Sequence, residues 1–84
     1  AEAEWLAGWL ALRFLNSPTK AFQHFQDMYK SVETPMSKTR GAYWSARAAE
    51  AMGDKATAQK WYKDAARFQN FYYGQLAGRA IGIE

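Results

Sequence analysis

Ala42-Tyr43-Trp44-Ser45-Ala46-Arg47-Ala48-Ala49-Glu50-Ala51-Met52-Gly53-Asp54-Lys55-Ala56-Thr57-Ala58-Gln59-Lys60-Trp61-Tyr62-Lys63-Asp64-Ala65-Ala66 reads as two helices with a full stop between them. Alanine is the strongest helix former, and neither half contains a proline or an aliphatic β-branched residue. Gly53 suits the left-handed position that ends a helix, and the Asp54 side chain suits the cap that begins the next. Beyond the stop, Ala58, Trp61, Tyr62, Ala65 and Phe68 recur at spacings of three and four, one apolar face of a helix. That helix is expected to end at Asn70. The helix before the stop is expected to begin at a cap supplied by Thr34 or Ser37 and to run to Met52.

The same pattern extends in both directions. Upstream, Ser17-Pro18 opens a helix, with Ser17 as cap and Pro18 at its first position. Ala21, Phe22, Phe25, Met28, Tyr29 and Val32 form its apolar stripe, and Lys20, Gln23, His24, Asp27 and Lys30 its polar face. Glu33-Thr34-Pro35-Met36-Ser37 breaks it. A further helix is expected over residues 2–15, and a short last one over 71–81. The aliphatic β-branched residues are only Val32, Ile81 and Ile83, so strands lack their usual material. The expected fold is all-α, with about five helices arranged as antiparallel hairpins. One hairpin spans residues 2–32 and a second 37–69, and a new repeat starts over 71–82.

The hairpins repeat internally. Ala21 is followed four residues on by Phe25, and Ala58 by Tyr62. The alternate helices share an aromatic, then a small residue, then Ala: Trp5, Gly8, Ala11; Tyr43, Ala46, Ala49; Phe71, Gly74, Ala77. Small residues at these places let a neighbour approach, and the following aromatic fills the space beside it. The offset from Ala21 to Ala58 is 37 residues, close to the roughly 34 of a tetratricopeptide repeat. Side-by-side stacking into a superhelix follows.

The 84 residues are 49% apolar and 17% aromatic. Residues 2–15 are apolar nearly all round, with Trp5, Leu6, Trp9, Leu10, Leu12, Phe14 and Leu15 interrupted by Arg13. Such a helix expects neighbours on more than one side, and Phe71, Tyr72, Tyr73 and Leu76 pose the same demand at the other end. The chain opens on Ala1 rather than Met. It therefore reads as a single segment of a longer helical-repeat protein, whose ends are expected to self-associate when isolated.

Composition narrows the chemistry. There are no cysteines and one histidine, which leaves no thiolate nucleophile and no His cluster for a metal. The formal charge is +3, but acids and bases alternate, as in Lys60, Lys63, Asp64 and Arg67, a solvated face and no track for nucleic acid. The longest apolar run, residues 5–12, is far short of the roughly 20 residues of a membrane span. Ser17 and Ser37 read as caps, Asp64 as the partner of Lys60, and Glu50 as a surface partner of Arg47. No cofactor is expected, since the glycines are dispersed and form no phosphate loop. One group stands out as ligand- or partner-facing: Arg40, Tyr43, Trp44 and Arg47, two guanidinium groups flanking two rings on one helix.

Arg40-Gly41-Ala42-Tyr43-Trp44-Ser45-Ala46-Arg47-Ala48 resembles the Arg-x-x-Tyr-Trp-x-x-Arg-Ala segment of soluble lytic murein transglycosylases. Trp61-Tyr62 with Ala65-Ala66 follows at the family's spacing, and Phe71-Tyr72-Tyr73-Gly74-Gln75-Leu76-Ala77 is similar to its Phe-Tyr-Gly-Gln-Leu-Ala signature. Trp5-Leu6-Ala7-Gly8-Trp9 fits the preceding repeat. One aromatic more than the family's Phe-Tyr-Gly leaves the register of the last helix open. The resemblance implies the N-terminal superhelical region of such an enzyme, a periplasmic protein that cleaves peptidoglycan between N-acetylmuramic acid and N-acetylglucosamine with a 1,6-anhydro product. The family's catalytic domain lies further along and uses a Glu followed by Ser. This sequence has no Glu-Ser pair, so no catalytic residue carries over. The implied partners are the remaining superhelical and catalytic domains, with glycan strands as a further partner. The other reading is a tetratricopeptide-like or Sel1-like adaptor that holds a peptide. It expects a polar inner face where these helices carry Ala, Leu and Trp.

Overall fold

The computed structural model describes Gly8, Trp9 and residues 17–82. Four helices run through them: α1 (Pro18–Ser31), α2 (Pro35–Ala51), α3 (Lys55–Ala66) and α4 (Tyr72–Ala80). No strand occurs among the described residues. Gly8 and Trp9 are helical, and the rest of the helix expected over residues 2–15 lies outside the described residues.

Each connection has a local cause. Pro18 opens α1, but the Ser17 side chain, at the cap position, makes no capping hydrogen bond. At the start of α2, Thr34 rather than Ser37 is the cap: its Oγ1 accepts from the Ser37 N–H at 3.3 Å, and Pro35 takes the first helical position. The α2–α3 turn closes with Asp54 N–H donating to Ala49 O and Gly53 N–H to Glu50 O, both at 3.0 Å. This paired closure needs a left-handed residue, and Gly53 supplies it with φ of 83°. Asp54 then caps α3, accepting from Thr57 N–H at 3.1 Å and from the Thr57 hydroxyl at 2.7 Å.

The expected end of α3 at Asn70 is wrong. The helix stops at Ala66, and Arg67 and Phe68 tighten onto Asp64 O and Ala65 O. The Gln69 side chain bridges the change of direction, donating to Ala66 O at 2.7 Å and to Gly74 O at 3.0 Å. Gly74 sits against the carbonyl of Phe68, where a Cβ would overlap it. Glycine is the residue that permits this approach.

The core forms around α2. On one side lie Ala21, Phe25 and Met28 of α1 with Ala48. On the other, Ala42, Tyr43, Ala46 and Ala49 meet Ala58, Tyr62, Ala65 and Ala66 of α3 and Ala77 of α4. α4 packs against both α3 and α2. Tyr29 of α1 reaches α3, its ring 5.0 Å from that of Trp61 and its hydroxyl 3.0 Å from Asp64. Two layers result: α1 with α3, and α2 with α4 and the Trp9 segment, whose ring lies 6.5 Å from Trp44. Gly8 belongs to this scheme, since a Cβ there would lie 2.7 Å from Phe25 Cε1. The small residue of that triplet makes room for the aromatic of the next helix.

The third triplet has a different register. Phe71 precedes α4 as its cap residue, with its ring 6.3 Å from Phe68. Tyr73 is the ring of the three that packs against the core, half-buried and 5.4 Å from Tyr43. Of three consecutive aromatics on a helix start, only one can face inward at that position.

Candidate functional site

Arg40, Tyr43, Trp44 and Arg47 lie at intervals of three and four, so α2 presents them along one face. Their surroundings divide them. Tyr43 is buried, its ring 5.9 Å from Tyr62 as well as close to Tyr73. Trp44 is half-buried, 6.1 Å from Phe25 and 6.2 Å from Tyr73. Trp9, Trp44 and Tyr73 thus form a row of rings across three successive segments of one layer.

Arg47 is exposed and committed to this row. Its Nη1 donates to the Tyr43 hydroxyl at 2.9 Å, and its guanidinium lies 5.5 Å from the Trp44 ring centre and 5.9 Å from that of Tyr43. Burial pulls its pKa down, and the Tyr43 hydroxyl with the neighbouring Tyr62 and Glu50 more than compensates, leaving it raised. Its separation from Glu50 is 4.0 Å, at the outer limit of an ion pair. Glu50 has a shorter partner: the Tyr62 hydroxyl donates to Oε1 at 2.8 Å. Burial, then this carboxylate, pushes the Tyr62 phenol well above its usual range.

Arg40 goes elsewhere. It is half-buried, with its Nε enclosed, and it lines a cleft of 350 Å³ between the first turns of α2 and α4. Across that cleft stand Tyr72, 68% exposed, and Met36, 62% exposed. The structure therefore places Arg40 and Arg47 in separate settings on the same helix.

Other expectations change. Asp64 does not pair with Lys60. It accepts from the Tyr29 hydroxyl and lies 3.5 Å from Arg67 Nη2, while the Lys60 ammonium sits 5.5 Å from the Trp61 ring centre. His24, placed by pattern on the polar face, is half-buried. Ser45 is fully buried and accepts from Gln26 Nε2 at 3.0 Å, a tie between α1 and α2.

Comparisons with known proteins give no match: no family model, no curated protein and no solved structure. Among the described residues, no group of three or more His, Cys, Asp or Glu side chains is placed to hold a metal. No described helix is long and apolar enough to cross a membrane.

The cleft residues Met36 and Tyr72 are absent from the sequence-based set. Their signal was the run Phe71-Tyr72-Tyr73, since a helix start cannot bury three adjacent rings, and at least one must face solvent.

Proposed function

We propose that this chain is a non-catalytic superhelical scaffold segment of a periplasmic lytic transglycosylase, helping to shape the path along which glycan strands reach a catalytic domain elsewhere in the protein. One observation supports the reading most. The three segments that resemble the family contribute Tyr43, Tyr62 and Tyr73, and these rings pack together at 5.4–5.9 Å. Residues used in this way hold successive hairpins in a fixed relation, which is the task of a scaffold. The row Trp9, Trp44 and Tyr73, with Arg47 beside it, gives the same layer an aromatic surface on which sugar rings can stack.

Two measurements test the proposal together. Incubated with purified sacculi, the chain should release no anhydromuropeptides, and release above buffer overturns the non-catalytic reading. Light scattering behind size exclusion should show association that grows with concentration, because Tyr72, Leu76 and Ile81 leave apolar surface at the edge of α4. A monomer at every concentration favours the alternative, a tetratricopeptide-like or Sel1-like interaction module, to which the open cleft beside Tyr72 also lends support.

A further inference from the structure

The cleft between α2 and α4 has the makings of a small-molecule site. Its 350 Å³ falls at the lower end of the roughly 300–1,000 Å³ usual for such sites. Its walls are mainly apolar, from Met36, Phe71, Tyr72 and Tyr73, and among the described residues Arg40 is the one charged side chain that lines it. Among the described residues, no carboxylate lines it. Neither α2 nor α4 carries an acid in its first turn, and Phe71 gives α4 no side-chain cap. The positive ends of both helices therefore add to the guanidinium without compensation from these turns. Arg40 makes another contact of its own, but a guanidinium has five donors and can serve more than one partner.

We propose that this cleft binds a small carboxylate carried on a flat apolar body, with Arg40 pairing the carboxylate and Tyr72, Tyr73 and Met36 holding the body. A planar guanidinium matches a carboxylate in two parallel hydrogen bonds, and aromatic rings favour a flat partner. A charge-assisted pair of this kind discriminates strongly against a neutral analogue of the same shape. The inference goes beyond the scaffold reading and stands or falls without it.

Amide spectra of the 84-residue chain, recorded at constant ionic strength, test it with three probes: benzoate, its neutral counterpart benzamide, and acetate. Benzoate should shift the amides of residues 36–40 and 70–74 in a saturable way, with benzamide and acetate each about tenfold weaker. Arg40→Gln should reduce benzoate binding to the benzamide level. Tyr72→Ala, at a side chain largely in solvent and harmless to folding, should weaken benzoate and benzamide several-fold alike. Equal response to benzoate and benzamide, shifts scattered outside the cleft, no saturable response, or full binding by a folded Tyr72→Ala variant would each overturn the proposal.

Discussion

α2 is covered on two sides, and the two sides are built on opposite principles. Toward α1, large side chains fill space: Phe25 and Met28 are fully buried, and the Phe25 ring occupies volume that a Cβ on Gly8 would need. Toward α3, alanines let backbones approach: Ala42, Ala46 and Ala49 face Ala58, Ala65 and Ala66, all of them buried. The buried rings on that side are tyrosines, and the Tyr43 and Tyr62 hydroxyls reach Arg47 and Glu50 at the rim. One interface holds by filling, the other by closeness. The first should therefore be most sensitive to truncation and the second to enlargement.

The largest expected effect comes from emptying the filled side. Phe25→Ala should lower the unfolding free energy by about 4 kcal/mol, read from urea denaturation. Enlarging the close side, Ala46→Leu should cost about 2 kcal/mol by forcing α2 and α3 apart. If Ala46→Leu were neutral, the alanine face would have slack, and the contrast between the two interfaces would fail.

The tyrosine rim gives a smaller and pH-dependent effect. Tyr62→Phe should cost about 1 kcal/mol, because Glu50 is partly in water and loses a single donor. The Tyr62 and Tyr29 phenols both have raised pKa values, through burial first and then through Glu50 and Asp64 respectively. A phenol with a raised folded pKa contributes stability that is complete below its ordinary value of 10.0 and is lost as pH rises through the folded value. Tyrosinate absorbance should therefore include a component that ionises above 10.0 in the folded protein, and Tyr62→Phe should reduce it. A tyrosinate titration whose shape Tyr62→Phe leaves unchanged would contradict the buried rim.

The smallest effect belongs to the turn that joins the two halves of the close interface. Asp54→Ala removes the α3 cap while leaving Gly53 in place. Hydrogen bonds from the Thr57 hydroxyl and amide hold the Asp54 carboxyl below its ordinary 3.8. Its contribution is present above that value and fades as pH falls through the lowered one. Thermal melts of wild type and Asp54→Ala should thus differ slightly at neutral pH and converge in acid.

These regions also differ in how far they were legible beforehand. Gly53-Asp54 was readable because every atom of the turn lies within a few residues, and backbone geometry alone selects Gly and Asp there. The apolar stripe of α1 was readable for the same reason, down to Ala21, Phe25 and Met28. The end of α3 was not, because Gln69 folds back on Ala66 and Gly74 only once α4 is in place. Asp64 faced Lys60 on a helical wheel, yet the hydroxyl that donates to it belongs to Tyr29, 35 residues away. Arg40, Tyr43, Trp44 and Arg47 share the one helix that their pattern expects. Their division between a ring row and a cleft depended on Tyr72 and Tyr73, some thirty residues further on.

The sequence by itself determined the all-α class, the hairpin turn and the small residues at close approaches, since these follow from propensity, capping and side-chain volume acting over a turn or two of helix. Only the tertiary structure decided which of Phe71, Tyr72 and Tyr73 packs against the core, which partner each charged side chain takes, and where a cleft opens. Those outcomes depend on neighbours brought together by packing, and a helical period alone does not specify which neighbours they are.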